Sequence, residues 1–472
     1  MVNAVSQSRR SGPCWSGGVQ RLSMRKDDVK KLLPSTIALV ALILTTASQA
    51  WAEPPATGFR GLLSDDAGAA SPLGHPACRQ GDRGRLIRYE RVASHQTRAS
   101  VRAYFNEWIA FYQDFYQFPP NIPVRFDYGF DSYKVTYCTI DAVLPGESTA
   151  RPTIATGMVS VPRKSGRLST VAYLHGTSVS FYDAVSNPNI FGEFNENGES
   201  FDGPPSNAVF AGAGFIYIAP DYLGLGGSTV PRHRYFHAAT EASSALDLLA
   251  ASRRVLASRR VKQNDELFTF GFSQGGHAAL ALHRELQNAK VDVSGTATVG
   301  AVFDLEQWIL ASLANETTIT VPLYLSYILL AYDDVYNIYG NTTDVFQQPY
   351  ASTVSSLFDM QHFFDDILAE LPPNAPALLT SSYYAEVSAN RQNPLRVRLR
   401  ENAVDRWRLD APVRVYHSPD DEEVPFGDAL VSVNRLRSRG TDVTVRPLPG
   451  FDHVNSWIQA MPRAVTWFRS LD

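Results

Sequence analysis

Two spacings of apolar residues organise the chain, and the change from one to the other marks its elements. In 101–117, Tyr104, Trp108, Phe111, Tyr112 and Phe115 recur at helical spacing, predicting a helix that stops at Pro119-Pro120. Segments with strand character follow. Residues 133–140 and 153–161 alternate, and 169–174, 215–219, 267–270, 296–303, 413–416 and 443–448 are short apolar runs. Helical patterns alternate with the later strands at 237–260, 274–287, 428–437 and 454–470. In the first of these, Ala242, Ala245, Leu246 and Leu249 share one face. Two antiparallel-type strands followed by β-α alternation predict one mostly parallel, eight-stranded sheet covered on both faces.

The stretch between residues 303 and 413 breaks the alternation and is too long for a loop. Its helix-like pieces at 307–313, 323–332 and 353–371 predict an inserted helical cap. The 321–332 run is very apolar, but it is short and meets Asp333-Asp334, so it reads as a packed helix rather than a membrane span. The expected organisation is a leader over 1–52, an arm and helical extension over 53–130, a first core part over 131–304, the cap over 305–405 and a second core part over 406–472.

The leader reading rests on one more apolar run, residues 32–46. Arg25, Lys26, Lys30 and Lys31 precede it, and the small-x-small triplet Ala50-Trp51-Ala52 stands before Glu53. That is the three-part layout of a secretory signal peptide, with a membrane anchor as the competing reading. Met24 makes a better start for it than Met1. The expected location is secreted or periplasmic, without an integral span once the leader is gone. Cys14 falls in the leader, which leaves Cys78 and Cys138 as an even pair in an oxidising compartment. A bridge between them is expected; two free buried thiols are the alternative.

Composition narrows the class. The chain has 472 residues, 44% of them hydrophobic and 19% charged, so it can bury a large core. Beyond residue 52 it carries 36 Lys+Arg against 45 Asp+Glu, and a surface that acidic disfavours nucleic acid.

Candidate chemistry begins at Gly271-Phe272-Ser273-Gln274-Gly275, a G-x-S-x-G between a short buried-type strand and an Ala/Leu-rich helix. A serine on such a strained turn protrudes from the sheet edge, beside a helix N-terminus that favours a developing oxyanion. A hydroxyl needs a base at neutral pH. His453, in Pro449-Gly450-Phe451-Asp452-His453, lies after the last strand. His277 and His283 sit on the helix after the serine and should point away, and His417 precedes the acid. His417-Ser418-Pro419-Asp420-Asp421-Glu422-Glu423-Val424-Pro425 offers four carboxylates; the D-x-x-V-P spacing selects Asp421, with Asp420 as competitor. The backbone N–H groups of Thr177, in Tyr173-Leu174-His175-Gly176-Thr177, and of Gln274 are the expected oxyanion donors. His175 reads as structural, as does the turn from Asp221 to Gly227. Asn195, Glu196, Glu199 and Asp202 form an acidic loop whose spacing fits no known calcium loop, so no metal and no cofactor is expected.

On these motifs, from about Tyr133 to the C-terminus, the chain resembles an α/β-hydrolase of the secretory-lipase type. The resemblance implies hydrolysis of carboxylic esters through an acyl-serine intermediate under an inserted lid. Where the family pattern around the acid is H-G-x-x-D, this chain has Ser418 for glycine. The expected substrates are small-molecule or lipid esters of hydrophobic character. The competing readings are an amidase or peptidase using the same triad, and an inactive binding module on this fold. Nothing in the sequence fixes the oligomeric state.

Overall fold

Successive side chains of a strand point to opposite faces of a sheet, and here both faces are buried. On one face Val171, Tyr173, Tyr217, Phe268 and Phe270 join an apolar cluster. Their neighbours go to the other, with Ala172 and Leu174 in one cluster, Ile216 and Ile218 in a second, and Val413 and Val415 in a third. The computed structural model describes residues 77–119, 122–187, 201–315 and 318–472. The expected leader with Cys14 and Met24, the arm before residue 77, and Asn195, Glu196 and Glu199 lie outside the described residues.

The strands are β1 Leu86–His95, β2 Phe130–Ile140, β3 Pro152–Pro162, β4 Arg167–Leu174, β5 Ile216–Pro220, β6 Lys262–Phe272, β7 Gly295–Val299, β8 Val413–His417 and β9 Val443–Pro447. Among the described residues they form one nine-stranded sheet in the order β1-β2-β3-β5-β4-β6-β7-β8-β9. The β1–β2, β2–β3 and β3–β5 pairs are antiparallel, and the pairs from β5 to β9 are parallel. This is the α/β-hydrolase layout, with one strand more than the expected eight. The extra strand is β1, an edge strand whose Arg88, Glu90 and Arg91 are exposed. Two register shifts interrupt its pairing, which blurs the alternation that would have announced it.

The helices are α1 Arg98–Tyr116, α2 Gly203–Gly212, α3 Ala238–Ser258, α4 Gln274–Asn288, α5 Leu305–Leu313, α6 Val321–Tyr336, α7 Tyr350–Leu357, α8 Phe364–Glu370, α9 Ser381–Ala389, α10 Pro394–Asn402, α11 Phe426–Ser438 and α12 His453–Phe468, with shorter turns between some of them. α1 starts with a capping box between Thr97 and Ser100 and ends at Gln117, whose φ is 47°. It buries Val101, Tyr104, Phe105 and Trp108, one helical stripe, against the cluster that also holds Trp457 of α12.

Segments α5 to α10 make up the insert between β7 and β8. Its apolar helix α6 is a packed helix, as expected: Tyr327, Ile328, Leu329 and Tyr332 share a cluster with Leu174, Tyr222 and Ala278 of the core. No helix of the described residues is long and apolar enough to cross a membrane. The helix expected over 353–371 is instead two, α7 and α8. Asp359 causes the break: its Oδ1 accepts the N–H of Gln361 at 2.8 Å and of His362 at 3.2 Å, a local turn that competes with the helix, and Met360 takes a φ of 66°. The strand expected over 296–303 stops at Val299, because Gly300 turns away with a φ of 54°.

Cys78 and Cys138 form the expected disulfide, with sulfurs 2.08 Å apart, tying the chain ahead of β1 to β2. The bridge closes a loop of 60 residues in sequence. In the chain-entropy view, replacing both cysteines by serine costs up to roughly 4 kcal/mol. Urea unfolding with and without reductant should show that loss; an unchanged midpoint would dismiss any stabilising role.

Candidate active site

Ser273 is the single residue between β6 and α4, and its backbone is forced to φ 54°, ψ −119°. A non-glycine residue held there costs about 1–3 kcal/mol, so the surroundings must impose it. They do so by close approach. A Cβ at Gly271 would lie 1.9 Å from the Gly275 carbonyl oxygen, and one at Gly275 would lie 1.9 Å from that of Leu174. α4 is thereby pressed against the ends of β4 and β6. The Ser273 N–H donates to the Val299 carbonyl at 2.9 Å, which pins the turn to the end of β7.

The next residue along β7 sets the second group. Gly300 has no side chain, and a Cβ there would stand 2.8 Å from Cε1 and 2.9 Å from Nδ1 of His453, and 3.2 Å from Oδ2 of Asp421. The imidazole also lies near Phe272, with centroids 4.9 Å apart, and Phe272 stacks on Trp457 at 5.0 Å. The ring thus lies close both to Gly300 and to Phe272, the residue preceding Ser273. His453 Nδ1 and Asp421 Oδ2 are 2.8 Å apart. The other Asp421 oxygen accepts the N–H groups of Glu423 at 3.0 Å and Val424 at 2.9 Å. Asp420 points elsewhere and accepts the Gly450 N–H at 2.7 Å. Ser418 does not take a positive φ, so glycine is not needed there. Its hydroxyl accepts the Asp420 N–H at 3.0 Å.

Burial alone pushes the His453 imidazole down, but the Asp421, Glu423 and Glu422 carboxyls outweigh it and raise the pKa to about 9. Burial likewise opposes the charge on Asp421, yet His453, His417 and the Val424 N–H hold its carboxyl below the ordinary value. Glu422 and Glu423 are pushed up by burial. His417 is buried with its Nε2 against the Val424 carbonyl at 2.9 Å, where it supports the acid loop.

Thr177 follows the end of β4 and lines one cavity with Ser273 and His453. The loop is held by Asp202, a residue the sequence placed only in an acidic loop. Asp202 Oδ2 accepts the Gly176 N–H at 2.7 Å and the Tyr173 hydroxyl at 3.0 Å. His175 sits beneath, stacked on Tyr222 with centroids 4.2 Å apart, in the expected structural role. Asp221 is also structural: it accepts from Thr156 Oγ1 at 2.5 Å and from the Ser186 N–H at 2.9 Å. Gln274 opens α4, so its N–H has no partner within that helix. His277 and His283 are buried away from the cavity, in contact with Glu241 and Thr296.

The cavity holds about 760 Å³, between α1 (Tyr112, Phe115, Tyr116) and the insert (Tyr324, Phe363, Phe364). Asp183 lines it too, its pKa raised to about 8 by burial. Among the described residues no group of three or more His, Cys, Asp or Glu side chains is placed to hold a metal ion.

A family profile described as secretory lipase matches residues 209–470. The rice cell wall degrading esterase LipA from Xanthomonas oryzae is 24% identical, with a TM-score of 0.69 over 82% of this chain and 98% of that one. Candida antarctica lipase A in its closed state is 14% identical, with a TM-score of 0.61 over 85% of this chain and 87% of that one. These likenesses establish the shared fold. No curated protein sequence matches.

The close approach of Gly300 to the imidazole gives a direct test. Gly300→Ala should displace His453 from Asp421, lowering ester turnover at least tenfold and removing the downfield Nδ1 proton resonance of a His–Asp pair. Retention of both would show that the close approach does not fix the ring.

Proposed function

Since the chain belongs to the secretory lipase family and is a carboxylic ester hydrolase, we propose that Ser273, His453 and Asp421 are its catalytic triad. The observation that carries this reading is the 2.8 Å contact of His453 Nδ1 with Asp421, in the cavity onto which the strained Ser273 turn opens. Asp421 holds the proton on Nδ1, which leaves Nε2 as the base. Ser273 Oγ attacks the ester carbonyl carbon while its proton passes to Nε2. The resulting oxyanion is bound by the backbone N–H groups of Thr177 and Gln274. His453 then gives its proton to the departing alcohol oxygen as the acyl-serine forms. A water, deprotonated by His453, attacks that acyl group and releases the acid and the free serine.

The aromatic side chains of α1 and the insert favour neutral esters with hydrophobic acyl or aryl groups, and the insert over 305–405 acts as the cap. Residues 1–52 serve as a secretion leader. The family description and a disulfide, which persists in oxidising compartments, support that destination.

Ser273→Ala should lower kcat on a p-nitrophenyl ester by roughly 10⁴-fold or more with an unchanged circular dichroism spectrum. A smaller loss would exclude an acyl-serine route. Asp421→Asn should cost far more than Asp420→Asn, and the reverse order would reassign the acid. The base must be neutral to act, so kcat/KM should rise with pH along a limb centred near 9, the raised value of His453. A limb at the ordinary histidine value would show that the surrounding carboxyls do not tune it.

A further inference from the structure

Behind the Ser273 turn lies a buried polar network that the triad does not use. Gln274 Nε2 is 2.8 Å from Glu241 Oε1 and 2.8 Å from His233 Nε2. Glu241 Oε2 is 2.6 Å from His277 Nδ1, and His277 Nε2 is 2.8 Å from the Asn402 carbonyl oxygen. Gln274, Glu241, His233 and His277 are all at most 1% exposed.

Counting donors and acceptors fixes the arrangement. The Asn402 carbonyl only accepts, so His277 Nε2 carries a hydrogen. One proton then lies between His277 Nδ1 and Glu241 Oε2, on whichever partner, and Oε1 stays free to accept. His233 Nδ1 faces the Leu223 carbonyl at 2.7 Å, so it too carries a hydrogen. Burial pushes the His233 pKa down to about 3, the ring is neutral, and its Nε2 accepts. Both amide hydrogens of Gln274 are therefore committed, and its side chain has one direction. Asn402 belongs to α10 of the insert, and its side chain donates to the Tyr336 hydroxyl of α6 at 2.8 Å. The insert thus braces the residue next to Ser273.

We infer that Glu241 is a positioning residue, which fixes the Gln274 backbone N–H toward the oxyanion by clamping the Gln274 side chain. The inference rests on the donor role given to Gln274 in the triad reading. A backbone donor aims well only if its residue cannot rotate, and misplacement by about 1 Å costs on the order of 100-fold in rate.

The test uses the full chain with active sites titrated by a fluorophosphonate. The readouts are kcat and KM on a p-nitrophenyl ester, and the inhibition constant of an aryl trifluoromethyl ketone, whose hemiketal carries an oxyanion. Glu241→Ala should lower kcat per titrated site and weaken the ketone by matching factors of about 10 to 100, with KM nearly unchanged. Glu241→Gln can accept from Gln274 and donate to a neutral His277, so it should restore both to near the original values. If Glu241→Ala fails to fold, Gln274→Met decides by the same readouts. Unaltered kcat and ketone affinity in the folded alanine or methionine variant, whatever the thermal midpoint, would overturn the inference. Failure of the triad reading is read separately, from full activity in Ser273→Ala.

Discussion

The site depends on one strained residue. Ser273 stays at φ 54° only because β6, α4 and the end of β4 approach so closely that Gly271 and Gly275 have no room for a side chain. That packing places Ser273 at the cavity it lines with His453, and α4 opens at the next residue, whose N–H has no helical partner. It also anchors Ser273 to Val299, whose neighbour Gly300 is the surface against which His453 rests. The strain is sustained by a large buried sheet, so the sheet fixes the geometry of the proposed triad.

Electrostatics at the imidazole follow from the same crowding. His453 is buried, which disfavours its charge, yet it sits among Asp421, Glu422 and Glu423. The carboxyls win, and the ring becomes a stronger base than an exposed histidine. The gain carries a condition, since a base that strong is occupied by a proton at neutral pH. The insert brings further order to this region: Trp308 Nε1 donates to the Glu423 carbonyl at 3.1 Å, and Thr320 Oγ1 to the Glu423 carboxylate at 2.7 Å.

Much of this could be read from the sequence where a local rule applied. Buried strands announced themselves as apolar runs, and G-x-S-x-G between a strand and a helix marked Ser273. The D-x-x-V-P spacing pointed to Asp421, the carboxylate that meets His453, while the Asp420 oxygen turns to Gly450. What escaped the sequence has tertiary causes. β1 is half exposed and irregularly paired, so its composition resembles a loop. The α7–α8 break depends on one aspartate folding back on its own backbone. Gly300 and Asp202 matter only through groups distant in sequence, His453 and the Tyr173–Gly176 loop, and no period or motif encodes such meetings. Glu241 is of the same kind: a carboxylate in the first turn of a helix reads as a dipole partner until His277 and Gln274 are seen around it.

The proposed chemistry stands or falls with Ser273 as a nucleophile activated by His453. The most direct measurement is peptide mapping by mass spectrometry after treatment with a fluorophosphonate. One adduct is expected, on the peptide containing Ser273, and none in a folded His453→Ala variant treated for the same time. An adduct on another residue, or equal labelling of Ser273 without the imidazole, would contradict it.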